Sequence, residues 1–131
     1  MMKKILIVDD EPNILMSLDF LMRKEGYNVF VARDGAEAIK IIDEDQPHIV
    51  ILDIMMPNVD GYEVCQYIKN DEITKSTKVI FLSAKSKKED IEKGYEMGAD
   101  LYLTKPFSTR DLVKEVKSLT QKSHGTSFPI S

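Results

Sequence analysis

Five short apolar runs punctuate the chain: Ile5 to Val8, Val29 to Ala32, Ile49 to Leu52, Val79 to Leu82 and Leu101 to Leu103. They are mostly rich in β-branched or aromatic residues, and such runs predict strands. Between them apolar residues recur at helical spacing. Ile14, Leu18, Leu21 and Met22 form one such stripe, Ala38, Ile39 and Ile42 a second, Val64, Tyr67 and Ile68 a third, and Leu112, Val113, Val116 and Leu119 a last. The segment from Lys88 to Met97 has only Ile91, Tyr95 and Met97 as apolar anchors and a Gly94 inside it, so it is expected to be a loosely held helix.

Boundary residues agree with this division. Pro12 suits the first turn of a helix capped by Asp10 or Glu11, Asp60 and Ser108 suit N-caps, and Gly26 and Gly98 suit helix C-termini. Near-continuous apolar strands joined through helices imply a parallel sheet covered on both faces by right-handed crossovers. The expected fold class is therefore α/β: a doubly wound, five-stranded parallel sheet with five helices. From Gln121 onward periodicity stops and Gly125 and Pro129 interrupt the chain, so residues 122–131 are expected to be a tail or linker stub after a domain spanning 3–121.

The polar residues that follow the strands carry the chemistry. Asp9-Asp10, Asp53, Ser83-Ala84 and Lys105-Pro106 come directly after or at the ends of the first, third, fourth and fifth runs. In an open parallel sheet, ligands bind beyond these carboxyl ends, where the strand order reverses. Each residue also has an ordinary reading, as a cap, a strand end, a loop start or a solvated charge. Together they are harder to dismiss, because carboxylates a few ångströms apart repel one another unless a cation neutralises them. An all-oxygen site of this kind suits Mg²⁺, or Mn²⁺, far better than zinc.

Composition narrows the choice further. The 131 residues fit one domain, and 43% hydrophobic with 31% charged residues excludes the signature of disorder. A net charge of −4 without a basic stripe gives no footprint for direct nucleic-acid binding by this chain. The single Cys65 rules out an internal disulfide and a zinc cluster, and reads as a small buried hydrophobe. His48 and His124, the two histidines, do not make a His-based site, since His48 precedes the third strand at the opposite end of the sheet. No stretch reaches the roughly 20 apolar residues of a membrane span, and no signal-peptide core is present, so the cytoplasm is the expected location.

Asp9-Asp10, Asp53 within Ile51-Leu52-Asp53-Ile54-Met55-Met56-Pro57, Gly61 in Asp60-Gly61-Tyr62-Glu63, Ser83-Ala84 and Lys105-Pro106-Phe107 resemble the receiver domain of two-component response regulators. The spacing matches as well, with Ser83 thirty residues after Asp53 and Tyr102 three before Lys105. The resemblance implies the flavodoxin-like strand order 2-1-3-4-5 and a signalling switch rather than an enzyme with turnover on an external substrate. Asp53 would be the phosphoacceptor, taking a phosphoryl group from a phosphohistidine on a sensor kinase or phosphotransfer protein. Asp10, Asp53 and the backbone carbonyl of Met55 would hold Mg²⁺, with Asp9 acting through a water. Lys105, behind a cis peptide to Pro106, would pair with the phosphoryl oxygens. Ser83 would bond another of them, and Tyr102 would then pack inward.

The same resemblance makes the fourth helix, fifth strand and fifth helix the output surface, with a possible homodimer through it. Asp100, Arg110 and Lys114 match the mixed charge of that dimer face, but Leu101 departs from the acidic residue often found there. Met55 and Lys85 occupy positions that tune phosphoryl lifetime in receivers, and Met16, Asp19 and Phe20 are candidates for kinase recognition. Two other classes fit less well. A haloacid-dehalogenase-like phosphatase would carry its nucleophile after the first strand in an Asp-x-Asp-x-Thr or Val pattern, and a flavodoxin-like carrier would be repelled by two aspartates where its cofactor phosphate binds. The chain reads as a stand-alone adaptor or as the N-terminal module of a longer regulator or hybrid kinase.

Overall fold

A computed structural model describes residues 2–122. The tail expected over 122–131 lies outside the described residues apart from Lys122, which is the last residue of the final helix. Five strands, β1 (Lys4–Val8), β2 (Asn28–Ala32), β3 (Ile49–Leu52), β4 (Lys78–Ser83) and β5 (Leu101–Thr104), alternate with five helices. These are α1 (Pro12–Lys24), α2 (Gly35–Asp45), α3 (Gly61–Lys69), α4 (Lys88–Glu96) and α5 (Thr109–Lys122). All strand pairs are parallel and the order is β2-β1-β3-β4-β5, so the direction of winding reverses between β1 and β3.

Successive side chains of a strand point to opposite faces, and the core divides accordingly. Leu6, Val8, Val50, Leu52, Val79 and Phe81 face α2 and α3 through Ala38, Ile42, Val64, Cys65 and Ile68. Ile5, Ile7, Ile49, Ile51, Ile80 and Leu82 face α1 and α5 through Leu15, Leu18, Met22, Leu112 and Val116. Both faces are dry, which explains why the central strands read as unbroken apolar runs.

The helix ends follow local chemistry. Asp60 and Glu63 form a reciprocal capping box at the start of α3, and Ser108 Oγ accepts the N–H of Asp111 at the start of α5. Gly26 and Gly98 follow the ends of α1 and α4 with φ of 96° and 106°, a conformation that favours glycine. Gly94 is the sole buried residue of α4. Among the described residues no helix is long and apolar enough to cross a membrane.

Candidate functional site

The backbone ladder runs on past the strands and fixes the residues at their carboxyl ends. Asp9 N–H donates to Ala32 O (3.2 Å), Asp53 N–H to Val8 O (2.9 Å) and Lys105 N–H to Ser83 O (2.9 Å). Asp9, Asp53 and Lys105 therefore leave from backbone positions already held by the sheet, near the point where winding reverses. A turn immediately after Asp53 is equally constrained. Gly61 N–H donates to Ile54 O (2.9 Å), and a Cβ at Gly61 would meet the Asp53 carbonyl oxygen and lie 2.7 Å from Ile54 Cα. Only a residue without a side chain lets α3 start so close to the site.

Asp9, Asp10 and Asp53 each offer a carboxylate oxygen within 4.8 Å of the others. Asp9 and Asp53 are buried, whereas Asp10 is exposed. Lys105 reaches in from β5 and donates through Nζ to Asp9 Oδ2 at 3.0 Å and to Glu11 Oε1 at 3.1 Å, with Asp53 Oδ2 farther off at 3.8 Å. The Lys105–Pro106 peptide is cis. Asp9 is thus engaged at both oxygens, since its Oδ1 accepts the N–H of Glu11 at 2.9 Å. Asp53 Oδ1 accepts from the N–H of Ile54 at 2.8 Å.

Burial dominates the electrostatics of Asp53 and, with the charge of Asp9, raises its pKa from 3.8 to about 6 against the opposing pull of Lys105. For Lys105, burial works to lower the pKa, but hydrogen bonds with Asp9 and Glu11 and the charge of Asp53 outweigh it and the net direction is upward. The Lys105 ammonium thus stays charged beside the three aspartates, and one positive charge is set against three carboxylates. Three carboxylates with oxygen donors only, and neither histidine nor thiolate among them, fit a hard divalent cation such as Mg²⁺.

A model of the response regulator receiver domain matches residues 5–117. The chain belongs to this family. Solved receivers agree with it in three dimensions. The receiver domain of DrrB in its BeF3-activated form is 39% identical, with a TM-score of 0.85 over 92% of this chain and 99% of that one. The receiver domain of a signal transduction histidine kinase from Syntrophus aciditrophicus is 31% identical, with a TM-score of 0.88 over 98% of both chains. A CheY-like receiver from Methanospirillum hungatei is 29% identical, with a TM-score of 0.88 over 93% of this chain and 96% of that one. The protein is therefore a receiver domain of two-component systems, a class that signals through phosphorylation and binds Mg²⁺ through an acidic cluster of this kind.

The remaining candidates fall around this centre. Ser83 ends β4, fully buried, and its Oγ accepts the N–H of Lys85 at 3.2 Å. Met55, two residues past Asp53, is 58% exposed. Tyr102 has its ring buried against Phe81, and its hydroxyl donates to Lys85 O at 2.7 Å. Two features make that position available. Burial first, with the neighbouring Tyr62 and Asp90, pushes the phenol up to about 12 so that it stays a donor, and Gly94 leaves space for the ring, since a Cβ there would lie 2.7 Å from Tyr102 Cδ2. Asp100 accepts from Lys69 Nζ (3.2 Å) and from the N–H of Val79 (2.8 Å).

His48 sits at the far end of β3, where its Nδ1 accepts the N–H of Lys4 at 2.9 Å. Cys65 is buried, and desolvation pushes its thiol up to about 11, which keeps it an inert core residue. The sequence reading missed Glu11 as a partner of Lys105. It offered Glu11 only as a helix cap, and no local signal connects residues 94 positions apart.

Proposed function

We propose that this receiver is a switch phosphorylated on Asp53. The observation that carries this reading is the pairing of a buried carboxylate, held in the sheet ladder, with an ammonium and two further carboxylates at one strand edge. An Asp53 oxygen attacks phosphorus, the O–P bond forms, and the P–N bond of the donor phosphohistidine breaks with its electrons staying on the imidazole, which carries a proton on its other ring nitrogen and so leaves neutral. Asp10 and Asp53, with the Met55 carbonyl, would hold Mg²⁺ directly. Support for their choice over Asp9 comes from Asp9 being spent at both oxygens on Lys105 and on the Glu11 N–H. When bound, the metal offsets negative charge on the transferring phosphoryl group.

Lys105 moves its ammonium to a phosphoryl oxygen as the product forms, and Ser83 donates to another. Taking up that bond draws Ser83 and the Lys85 loop toward the site, and Tyr102 follows through its hydrogen bond to Lys85 O. The few apolar anchors of α4 let a contact of this size bias the face formed by α4, β5 and α5, which acts on a partner, an effector domain or a second copy. The phosphodonor is a sensor histidine kinase or phosphotransfer protein, and the exposed Met16 and Phe20 of α1 with Asp19 are the residues proposed to meet it. The chain transfers only its own phosphoryl group and acts in the cytoplasm. Incubation with acetyl phosphate and Mg²⁺ should add one phosphoryl group to the wild type and none to Asp53→Asn. Equal labelling of the variant would overturn the assignment.

A further inference from the structure

Glu11 stands at the N-cap of α1, yet its side chain makes no cap hydrogen bond. The side chain is 60% exposed and would ordinarily be left to water, but its carboxylate points instead at the Lys105 ammonium, 3.1 Å away. Lys105, with its side chain only 14% exposed, is therefore shared among three carboxylates at 3.0, 3.1 and 3.8 Å. Two of its three N–H donors are spent on Asp9 and Glu11, and Asp53 lies beyond hydrogen-bond reach, so closing that gap moves the ammonium away from one of the two.

The three partners are not equally easy to leave. Asp9 is 2% exposed and fixed by the Glu11 N–H, so stripping it of Lys105 would leave a buried charge unpaired. Asp53 is where a phosphoryl group arrives, and its oxygens are the destination. Glu11 alone can exchange the ammonium for water at little cost, because most of its side chain already faces solvent.

We propose that Glu11 is a positioning residue for phosphoryl transfer: by holding Lys105 away from Asp53 in the resting receiver, it slows phosphorylation and sets how far the ammonium must travel. This rests on Asp53 being the phosphoacceptor. The contact that must break is a partly exposed ion pair, so its removal should speed phosphorylation about 1.5- to 5-fold. The gain should vanish at about 1 M salt, where the screening length falls to roughly 3 Å.

The test compares rates of phosphorylation by acetyl phosphate with Mg²⁺, followed by intact mass, in the wild type, Glu11→Gln and Glu11→Asp. Glu11→Gln keeps the shape and removes the charge. Glu11→Asp keeps the negative charge at the mouth of the site but withdraws it by one methylene from Lys105. Both variants should be faster than the wild type at low salt and equal to it at high salt, with thermal unfolding confirming that each is folded. A Glu11→Gln rate no faster than the wild type would overturn the proposal. So would a Glu11→Asp rate as slow as the wild type, which would mean that Glu11 merely repels the anionic donor. A wild type that takes up no phosphoryl group would instead remove the phosphoacceptor reading, and this proposal with it.

Discussion

Asp53 is held ionised at neutral pH at a cost to the fold, so replacing it with asparagine should stabilise the metal-free protein. The residue is 5% exposed, and burial first, then the charge of Asp9, raises its pKa from 3.8 to about 6. A rise of that size corresponds to roughly 3 kcal/mol of differential stability. Solvent at the open mouth of the site and relaxation of Lys105 screen part of it, which leaves about 1 to 2 kcal/mol. Asp53→Asn removes this charge while keeping an acceptor for the Ile54 N–H, and it leaves Lys105 its bonds to Asp9 and Glu11.

The sign follows from linkage. Because the folded pKa lies above the unfolded one, protonation of Asp53 favours the fold; that contribution is fully present below 3.8 and is lost as pH rises through about 6. Asp53→Asn should therefore exceed the wild type in stability at about pH 7.5 in EDTA, raising the thermal midpoint by about 3 to 10 °C. The two should converge as pH falls toward 4. Urea unfolding followed by circular dichroism at several pH values measures the stability difference, and a thermal melt gives the midpoint. A variant less stable than the wild type at neutral pH, or a difference that does not shrink on acidification, would refute the reasoning. Mg²⁺ should reverse the order by stabilising the wild type through binding to the folded state, and should act much less on the variant.

Gly94→Ala should destabilise the protein by about 1 to 3 kcal/mol, although alanine is the better helix former by about 1 kcal/mol, because the new Cβ falls on Tyr102 and Phe81. In a Tyr102→Ala background the same change should become neutral or stabilising, and a higher thermal midpoint for Gly94→Ala alone would contradict the packing. His48 carries the opposite pH dependence to Asp53. Burial first, then Lys3 and Lys4, lowers its pKa from 6.5, so its contribution is present above that value and lost as pH falls below it. In the Asp53→Asn background, stability should therefore decline on acidification from about pH 7.5 to about 5, and His48→Gln should flatten that decline.

The fold was legible because its signals are local. Apolar runs such as Ile49 to Leu52 match the observed strand residue for residue, helical stripes with Asp60, Ser108, Gly26 and Gly98 at their ends locate the helices, and a parallel sheet buried on both faces demands that combination. The gathering of Asp9, Asp10, Asp53, Ser83 and Lys105 at one edge was legible for the same reason, since parallel strands bring all their carboxyl ends to one side. What the tertiary structure alone decided is how those groups divide their bonds. That Lys105 sits closer to Asp9 and Glu11 than to Asp53, that Asp100 serves Lys69 and Val79, and that Gly94 opens a place for Tyr102 are matters of distance between residues far apart in sequence. Composition and periodicity report which way a side chain faces; the partner it meets depends on where another element places its own.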